Sequence, residues 1–169
     1  MTPNNKKEEF EFSKENLKLA KEILAKYPSS REKSAILPLL DLAQRQAGGW
    51  LPQHVIEYVA DFIKIPYMRA LEVASFYTMF NLKPVGEYHI QVCTTTPCWL
   101  KGSGDIVNSC KNRLQIEVGE TTKDGKFTLT EVECLGACIN APMMQVNDDY
   151  FEDLTPESTV KLIDNLEKK

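Results

Sequence analysis

Four of the five cysteines form two spaced pairs, an arrangement of thiols that can hold a metal centre. The first pair is Cys93-Thr-Thr-Thr-Pro-Cys98 and the second is Cys134-Leu-Gly-Ala-Cys138. Each pair comes just after a predicted strand, so two strand-braced loops can converge on one four-thiolate site. Soft, deprotonated sulfur ligands in a rigid array suit zinc or an iron–sulfur cluster.

The width of the two gaps favours a [2Fe–2S] cluster. Structural zinc sites favour gaps of about two residues, whereas the gaps here are four and three residues long. Wider gaps let each pair chelate one iron of a two-iron core. A zinc site and a redox-active dithiol remain the alternatives, although a thioredoxin-type dithiol also needs a gap of about two residues.

The fifth cysteine and the loop residues have other predicted roles. Cys110 lies at helical spacing from apolar neighbours and is predicted to be a core residue. The Thr94–Thr96 run offers hydroxyl and N–H groups to sulfur, and Gly136 allows a close backbone approach or a positive φ. Both features are also ordinary in turns. Glu131 and Glu133 are predicted to be solvated.

A nucleotide site and a histidine-ligated cluster are disfavoured. Gly102-Ser-Gly104 precedes a predicted helix, but Val107 stands where a dinucleotide fingerprint needs its third glycine. No predicted strand comes directly before Gly102 either, although the fingerprint requires one. A Rieske centre needs two histidines in place of two cysteines. His54 and His89 are therefore predicted to be structural.

Composition and charge exclude several classes of function. The chain has 169 residues, 43% of them hydrophobic and 26% charged, with a net charge of −4 and a pI near 5.3. Nucleic-acid binding needs a surplus of basic residues, so it is not expected. No apolar run approaches the ~18 residues of a membrane span. The start of the chain lacks a signal-like apolar stretch, so a cytoplasmic location is expected.

The first half of the chain is predicted to be helical. Pro38 lies inside one apolar pattern and predicts a kink. Large apolar residues at helical spacing are predicted to be mostly core: Trp50, Phe76, Tyr77, Met79 and Phe80. The predicted helices run from Ser13 to about Tyr27, from a capping box at Ser29–Glu32 to Gly48–Gly49, from Pro52 to about Ile63, and from Pro66 to about Phe80.

The second half predicts a compact α/β layout of the thioredoxin-like kind. Residues 83–86 form a predicted linker, which divides the chain into a helical N-terminal region, 1–84, and a thioredoxin-like domain, 85–169. The fold class is thus α+β. The predicted elements are strands at 88–92, 127–132 and 143–146, helices from 105 to about 114 and from Thr155 to the C-terminus, and a turn at 147–149.

Three segments strongly resemble the NuoE-type family of respiratory complex I, the NADH:ubiquinone oxidoreductase. They are SAILPLLDLAQRQAGGWLP, ALEVASFYTMFNLKPVGEYHIQVCTTTPCWL and EVECLGACINAPMMQVNDDYFEDLT. The resemblance runs from about Tyr27 to the final helix. It implies one [2Fe–2S] cluster on a thioredoxin-like domain, with Cys93, Cys98, Cys134 and Cys138 as its ligands.

The resemblance also implies a place in a larger oxidoreductase. The chain would exchange single electrons with the FMN of a partner flavoprotein subunit, which binds both FMN and NADH. It would have no substrate site of its own. The expected location is peripheral, on the cytoplasmic face of a bacterial inner membrane, or on the mitochondrial matrix side if a presequence was removed. Related chains occur in NAD-linked hydrogenases and formate dehydrogenases.

Overall fold

A computed structural model describes residues 10–168 of the chain. Contacts within the chain divide it into two compact units, Met1–Pro84 and Val85–Lys169. None of the helices in residues 10–168 has both the length and the apolar character that crossing a bilayer requires.

The first unit is helical, as its sequence predicts. Its first helix begins after Ser13, whose Oγ accepts a hydrogen bond from the Asn16 N–H at 3.1 Å. That helix ends at Leu24, earlier than predicted. Fully buried side chains from the next helices, such as Leu39 and Val55, form the core. The helices are α1 (Lys14–Leu24), α2 (Ile36–Gln46), α3 (Gln53–Phe62) and α4 (Tyr67–Phe76).

The start of α2 differs from the prediction in two respects. A 3-10 turn, Glu32–Ala35, comes first, and no side chain caps it, so the predicted capping box is wrong. Pro38 then lies in the first turn of α2 rather than in its interior. A first-turn residue has no N–H partner within its helix, so proline fits there and the kink prediction is also wrong.

The predicted burial of the apolar residues at and beyond the end of α4 is wrong for three of them. The helix ends at Phe76, where Tyr77 takes an extended conformation, so the helical spacing stops before Phe80. Phe80 is buried, but Phe76 has 76% of its surface exposed, and Tyr77 and Met79 are also exposed. Trp50 is partly buried. A pattern of helical period predicts burial only while the helix continues.

The second unit is a four-stranded sheet with the strand order β2-β1-β3-β4. Strand β1 pairs in parallel with β2 and antiparallel with β3, which pairs antiparallel with β4. Helices α6 and α7 pack against each other, and α6 lies against β1 and β2. The elements are β1 (Tyr88–Cys93), α5 (Thr96–Leu100), α6 (Ser103–Leu114), β2 (Phe127–Val132), β3 (Met144–Val146), β4 (Asp149–Phe151) and α7 (Pro156–Glu167).

Two of these elements are absent from the sequence prediction. The short helix α5 lies inside the first cysteine motif, and β4 begins where a turn alone was predicted. The other elements match the prediction closely. Thr155 caps α7 in a capping box with Ser158. Because β1 and β2 are parallel, with Cys93 opposite Val132, both strands end at the same edge of the sheet.

Candidate metal centre

The first cysteine pair is built into the body of the sheet. Cys93 is the last residue of β1, and Cys98 lies in α5; each has only 1% of its surface exposed. The N–H of Cys93 donates to the Met143 carbonyl at 3.2 Å, and the N–H of Thr94 donates to the Val132 carbonyl at 3.1 Å. Neighbouring strands therefore fix the backbone of this loop on both sides.

The two buried thiols differ in pKa, partly because of their hydrogen bonds. Burial raises the pKa of Cys93, but hydrogen bonds from the Thr95 side chain and N–H, from Cys98 and from the Leu135 N–H outweigh it, so this pKa lies below its usual value. The Thr95 Oγ1 is 3.2 Å from the Cys93 Sγ. Burial and the neighbouring Cys93 raise the pKa of Cys98 to about 11. Cys93 is thus the more acidic of these two thiols, and Cys98 donates a hydrogen bond to it.

The second pair lies in an exposed, irregular loop after β2. The Sγ atoms of Cys134 and Cys138 are 3.4 Å apart, and both residues are exposed. Gly136, between them, has a φ of +85°, a conformation that glycine adopts without strain. Its N–H donates to the Cys134 Sγ at 3.4 Å. The contact with Cys134 raises the pKa of Cys138.

The two loops meet at the sulfur atoms. Leu135, from the second loop, packs against the buried cluster that contains Cys93 and Cys98, and its N–H contributes to the lowered pKa of Cys93. The charge of Cys138 contributes to the raised pKa of Cys98, and that of Cys93 to the raised pKa of Cys138. Across residues 10–168, no three or more His, Cys, Asp or Glu side chains surround a single point as one ion would require. The thiols are instead grouped two by two.

The donor atoms fit a cluster that takes two thiolates per iron. Two thiolates at about 2.3 Å from one tetrahedral ion stand about 3.8 Å apart, close to the 3.4 Å between Cys134 and Cys138. Backbone N–H groups also point at the sulfurs, as they do where protein tunes such a cluster. The Gly136 N–H donates to the Cys134 Sγ at 3.4 Å, and the backbone N–H groups of Thr95, Leu135, Met143 and Cys138 act to lower the pKa of neighbouring cysteines.

The remaining sequence candidates lie elsewhere. Cys110 is fully buried in the core between the sheet and α6, as predicted, and burial raises its pKa to about 12. His89 is buried, its Nε2 lies 2.9 Å from the Thr130 Oγ1, and burial lowers its pKa. His54 is partly buried in α3. Glu131 and Glu133 are exposed, as expected for solvated side chains.

An exposed apolar collar, formed by Trp99, Leu100 and Ile139, adjoins the cysteines. Each loop contributes to it directly after a cysteine: Trp99 and Leu100 follow Cys98, and Ile139 follows Cys138. Their exposed fractions are 67%, 71% and 94%. This collar was not predicted from the sequence. Its signal in the sequence was an apolar residue next to the last cysteine of each motif.

The family comparison agrees with this fold and donor set. The family model described as thioredoxin-like [2Fe-2S] ferredoxin matches residues 20–167. The predicted fold, a helical region followed by a thioredoxin-like α/β domain, is confirmed, as is the predicted [2Fe–2S] cofactor. The class of the protein is thereby defined as a thioredoxin-like [2Fe–2S] protein.

Similarity to curated relatives shows which family within this class the chain belongs to. The chain is 65% identical to the E subunit of the NADH-quinone oxidoreductase of Rickettsia bellii, over 96% of this chain and 98% of the relative. It is 58% identical to NADH dehydrogenase [ubiquinone] flavoprotein 2, mitochondrial, of Dictyostelium discoideum, over 96% of this chain and 66% of the relative. The chain belongs to the family of NADH-quinone oxidoreductase E subunits.

A solved structure supports the fold alone. An NAD+-reducing [NiFe]-hydrogenase in the H2-reduced state matches with a TM-score of 0.68 at 22% identity. The match covers 78% of this chain and 22% of the hydrogenase chain. The architecture found here therefore also occurs as a minor part of a longer chain.

Proposed function

We propose that this chain is the [2Fe–2S] electron-transfer subunit of the NADH-dehydrogenase module of an NADH:quinone oxidoreductase, with Cys93, Cys98, Cys134 and Cys138 as the cluster ligands. The observation that carries the proposal is the meeting of the two cysteine loops: Leu135 and Ala137, from the loop of the second pair, pack against the buried cluster that contains Cys93 and Cys98. The chain is then an electron carrier without a substrate site of its own.

The residues at this site have different roles. When bound, the cluster accepts and releases one electron at a time. Four thiolates hold it, and the N–H groups aimed at the sulfurs stabilise the added negative charge. The buried pair excludes water from one side of the site, while the exposed pair leaves the other side open.

The open side is the proposed docking face for the flavoprotein subunit, which binds FMN and NADH. Large apolar groups that are almost fully exposed around a cofactor site are typical of an interface. Docking at the apolar collar would cover Trp99, Leu100 and Ile139 and would bring the flavin near the exposed cysteines. The chain would thus exchange electrons with FMN without contacting NADH.

Two further parts of the proposal concern organisation and location. We take residues 1–84 as a helical domain and residues 85–169 as the cluster domain, in line with the contact division after Pro84. We place the chain in the peripheral arm, on the cytoplasmic face of a bacterial inner membrane, or on the matrix side in a mitochondrion. An acidic protein without a candidate spanning helix in residues 10–168 fits either place.

Metal analysis tests the cluster assignment. The full chain, purified without oxygen, should contain two irons and two sulfides and should give an EPR signal only after reduction. A colourless protein with one zinc per chain would contradict the proposal and establish the structural-zinc alternative.

Charge insertion tests the docking face. Ile139→Glu and Trp99→Glu should keep the cluster but lose co-purification with the flavoprotein subunit, since a carboxylate would be buried in an apolar interface. Leu19→Glu, at an exposed apolar position of α1, is the matched control and should co-purify normally. Full co-purification of both collar variants would show that the interface with the flavoprotein subunit does not lie at the collar.

A further inference from the structure

One peptide group in the second cysteine loop is held from both sides. It joins Leu135 to Gly136, and its two polar atoms point to different partners. The Tyr150 hydroxyl donates to its carbonyl oxygen at 2.8 Å. Its N–H donates to the Cys134 Sγ at 3.4 Å. A hydrogen bond from outside the loop thus fixes the direction of a donor to sulfur.

The outside partner stands on a defined element. Tyr150 is the middle residue of the edge strand β4, where it pairs with Gln145 of β3. The segment after β4 holds the far end of the same loop, because the Asp153 N–H donates to the Asn140 carbonyl at 2.8 Å and the Asn140 Nδ2 donates to Glu152 at 2.7 Å. Strand β4 and the residues after it therefore brace the loop at both ends.

The peptide needs this restraint because its own sequence does not provide it. Gly136 has no Cβ, its φ is +85°, and a Cβ built there would meet no atom within 4 Å. Glycine also populates other backbone regions at little cost. The glycine itself therefore does not fix the direction of the peptide, and the Tyr150 hydroxyl selects one orientation.

We propose that Tyr150 is a positioning residue for the cluster: it fixes the Leu135–Gly136 peptide so that the Gly136 N–H points at the Cys134 sulfur and favours the reduced state. The inference rests on the proposed function, because it takes Cys134 as a ligand. An N–H directed at a ligating sulfur stabilises added negative charge. A rotated peptide would remove that donor or turn its carbonyl oxygen towards the sulfur instead.

The alternative role for Tyr150 is purely structural packing, and its environment argues against that. Its side chain is 47% exposed, so its ring contributes only part of its area to packing. Replacing it by phenylalanine keeps the ring and removes only the hydroxyl that contacts Leu135. The effect of that change on the cluster therefore reports on the hydrogen bond.

The first experiment compares reduction potentials. Tyr150→Phe should retain two irons and two sulfides, and its midpoint should move to a more negative value than that of the wild type. Tyr77→Phe removes a hydroxyl from another exposed tyrosine, outside the cluster unit, and should leave the midpoint unchanged. A Tyr150→Phe midpoint equal to that of the wild type overturns the inference.

The second experiment detects the donor itself, and it needs only the wild type if Tyr150→Phe fails to load. Protein grown with glycine carrying the heavy nitrogen isotope should show, by pulsed EPR of the reduced cluster, a coupling from a glycine amide. The coupling should vanish in Gly136→Ala and weaken in Tyr150→Phe. A loaded wild type without any glycine coupling overturns the inference.

The two experiments also separate this inference from the proposed function. A wild-type chain that binds no iron or sulfide would contradict the proposed function itself. A wild-type chain that loads normally, together with an unmoved midpoint in Tyr150→Phe, would contradict only the role of Tyr150.

Discussion

The two cysteine pairs differ in almost every physical respect except their chemistry. The pair Cys93/Cys98 ends a central strand and enters a short helix, with 1% of each residue exposed. The pair Cys134/Cys138 lies in an exposed loop with a glycine at its centre. The four proposed ligands are thus supplied by one half that the fold fixes and one half that hydrogen bonds must hold.

This contrast shows how a small domain can combine precision with access. A buried, strand-anchored pair sets the position of a metal site, since its backbone cannot move without disturbing the sheet. An exposed pair leaves the site close to the surface, where electrons can arrive and a partner can bind. The cost is that the exposed half depends on single contacts such as the one from Tyr150.

The largest expected effect is loss of the cluster when the buried pair is broken. Cys98→Ser should remove most of the iron and sulfide, because a buried serine replaces a thiolate that nothing else can supply. Cys110→Ser, at an equally buried thiol outside the site, is the matched control and should keep both. Loss of colour in Cys110→Ser but not in Cys98→Ser would reverse the ligand assignment.

The next largest expected effect is a difference in reactivity between thiols of the two pairs. In the full chain freed of metal, iodoacetamide at about pH 8 should modify the exposed Cys134 sooner than the buried Cys98 and Cys110. Cys98 and Cys110, with pKa values raised to about 11 and about 12, hold little thiolate at that pH and should react at least ~10-fold more slowly.

Mass spectrometry of peptides sampled over time measures these rates. If Cys98 reacted as fast as Cys134, the first loop would be open in solution. The description of one buried, fixed pair and one exposed pair would then be wrong.

A smaller effect concerns the strand that leads to the buried pair. Burial lowers the pKa of His89 below 6.5, so the folded chain keeps this side chain neutral where the unfolded chain protonates it. Stability from this residue is therefore complete above about pH 6.5 and is lost as the pH falls towards the folded pKa.

Urea unfolding at a series of pH values checks this sign. Between about pH 6.5 and 5.5, the free energy of unfolding should fall more in the wild type than in His89→Gln. An identical pH slope in the two proteins would show that the side chain is not buried as described.

The smallest expected effect is electrostatic and belongs to the exposed half. Glu133→Gln should raise the midpoint potential by on the order of 10 mV, because a nearby negative charge disfavours reduction but solvent screens it. Glu87→Gln, at the opposite end of β1 from Cys93, makes the same charge change and should shift the potential less. Equal shifts would mean that only net charge matters.

The regular parts of the fold were predictable because their patterns are long. The strand predicted at 127–132 and the capping signal at Thr155 each matched the structure. Strand β4, with only three residues, and helix α5, with only five, are too short for a periodic pattern to reveal them.

The candidate site could be predicted only in part from the sequence. Spacing alone pointed to the cysteines, but Leu135 and Met143, which surround the buried pair, are brought to it only by the tertiary fold. The exposed Phe76 was missed because a helix end cannot be read from apolar content.

The apolar collar has a consequence for the cell that makes this chain. A copy synthesised in excess of its partner would present Trp99, Leu100 and Ile139 to water, and such patches promote aggregation and recognition by chaperones and proteases. Production of the chain in step with its partner would keep orphan copies rare. The abundance of the chain should then follow that of the assembled complex rather than its own rate of synthesis.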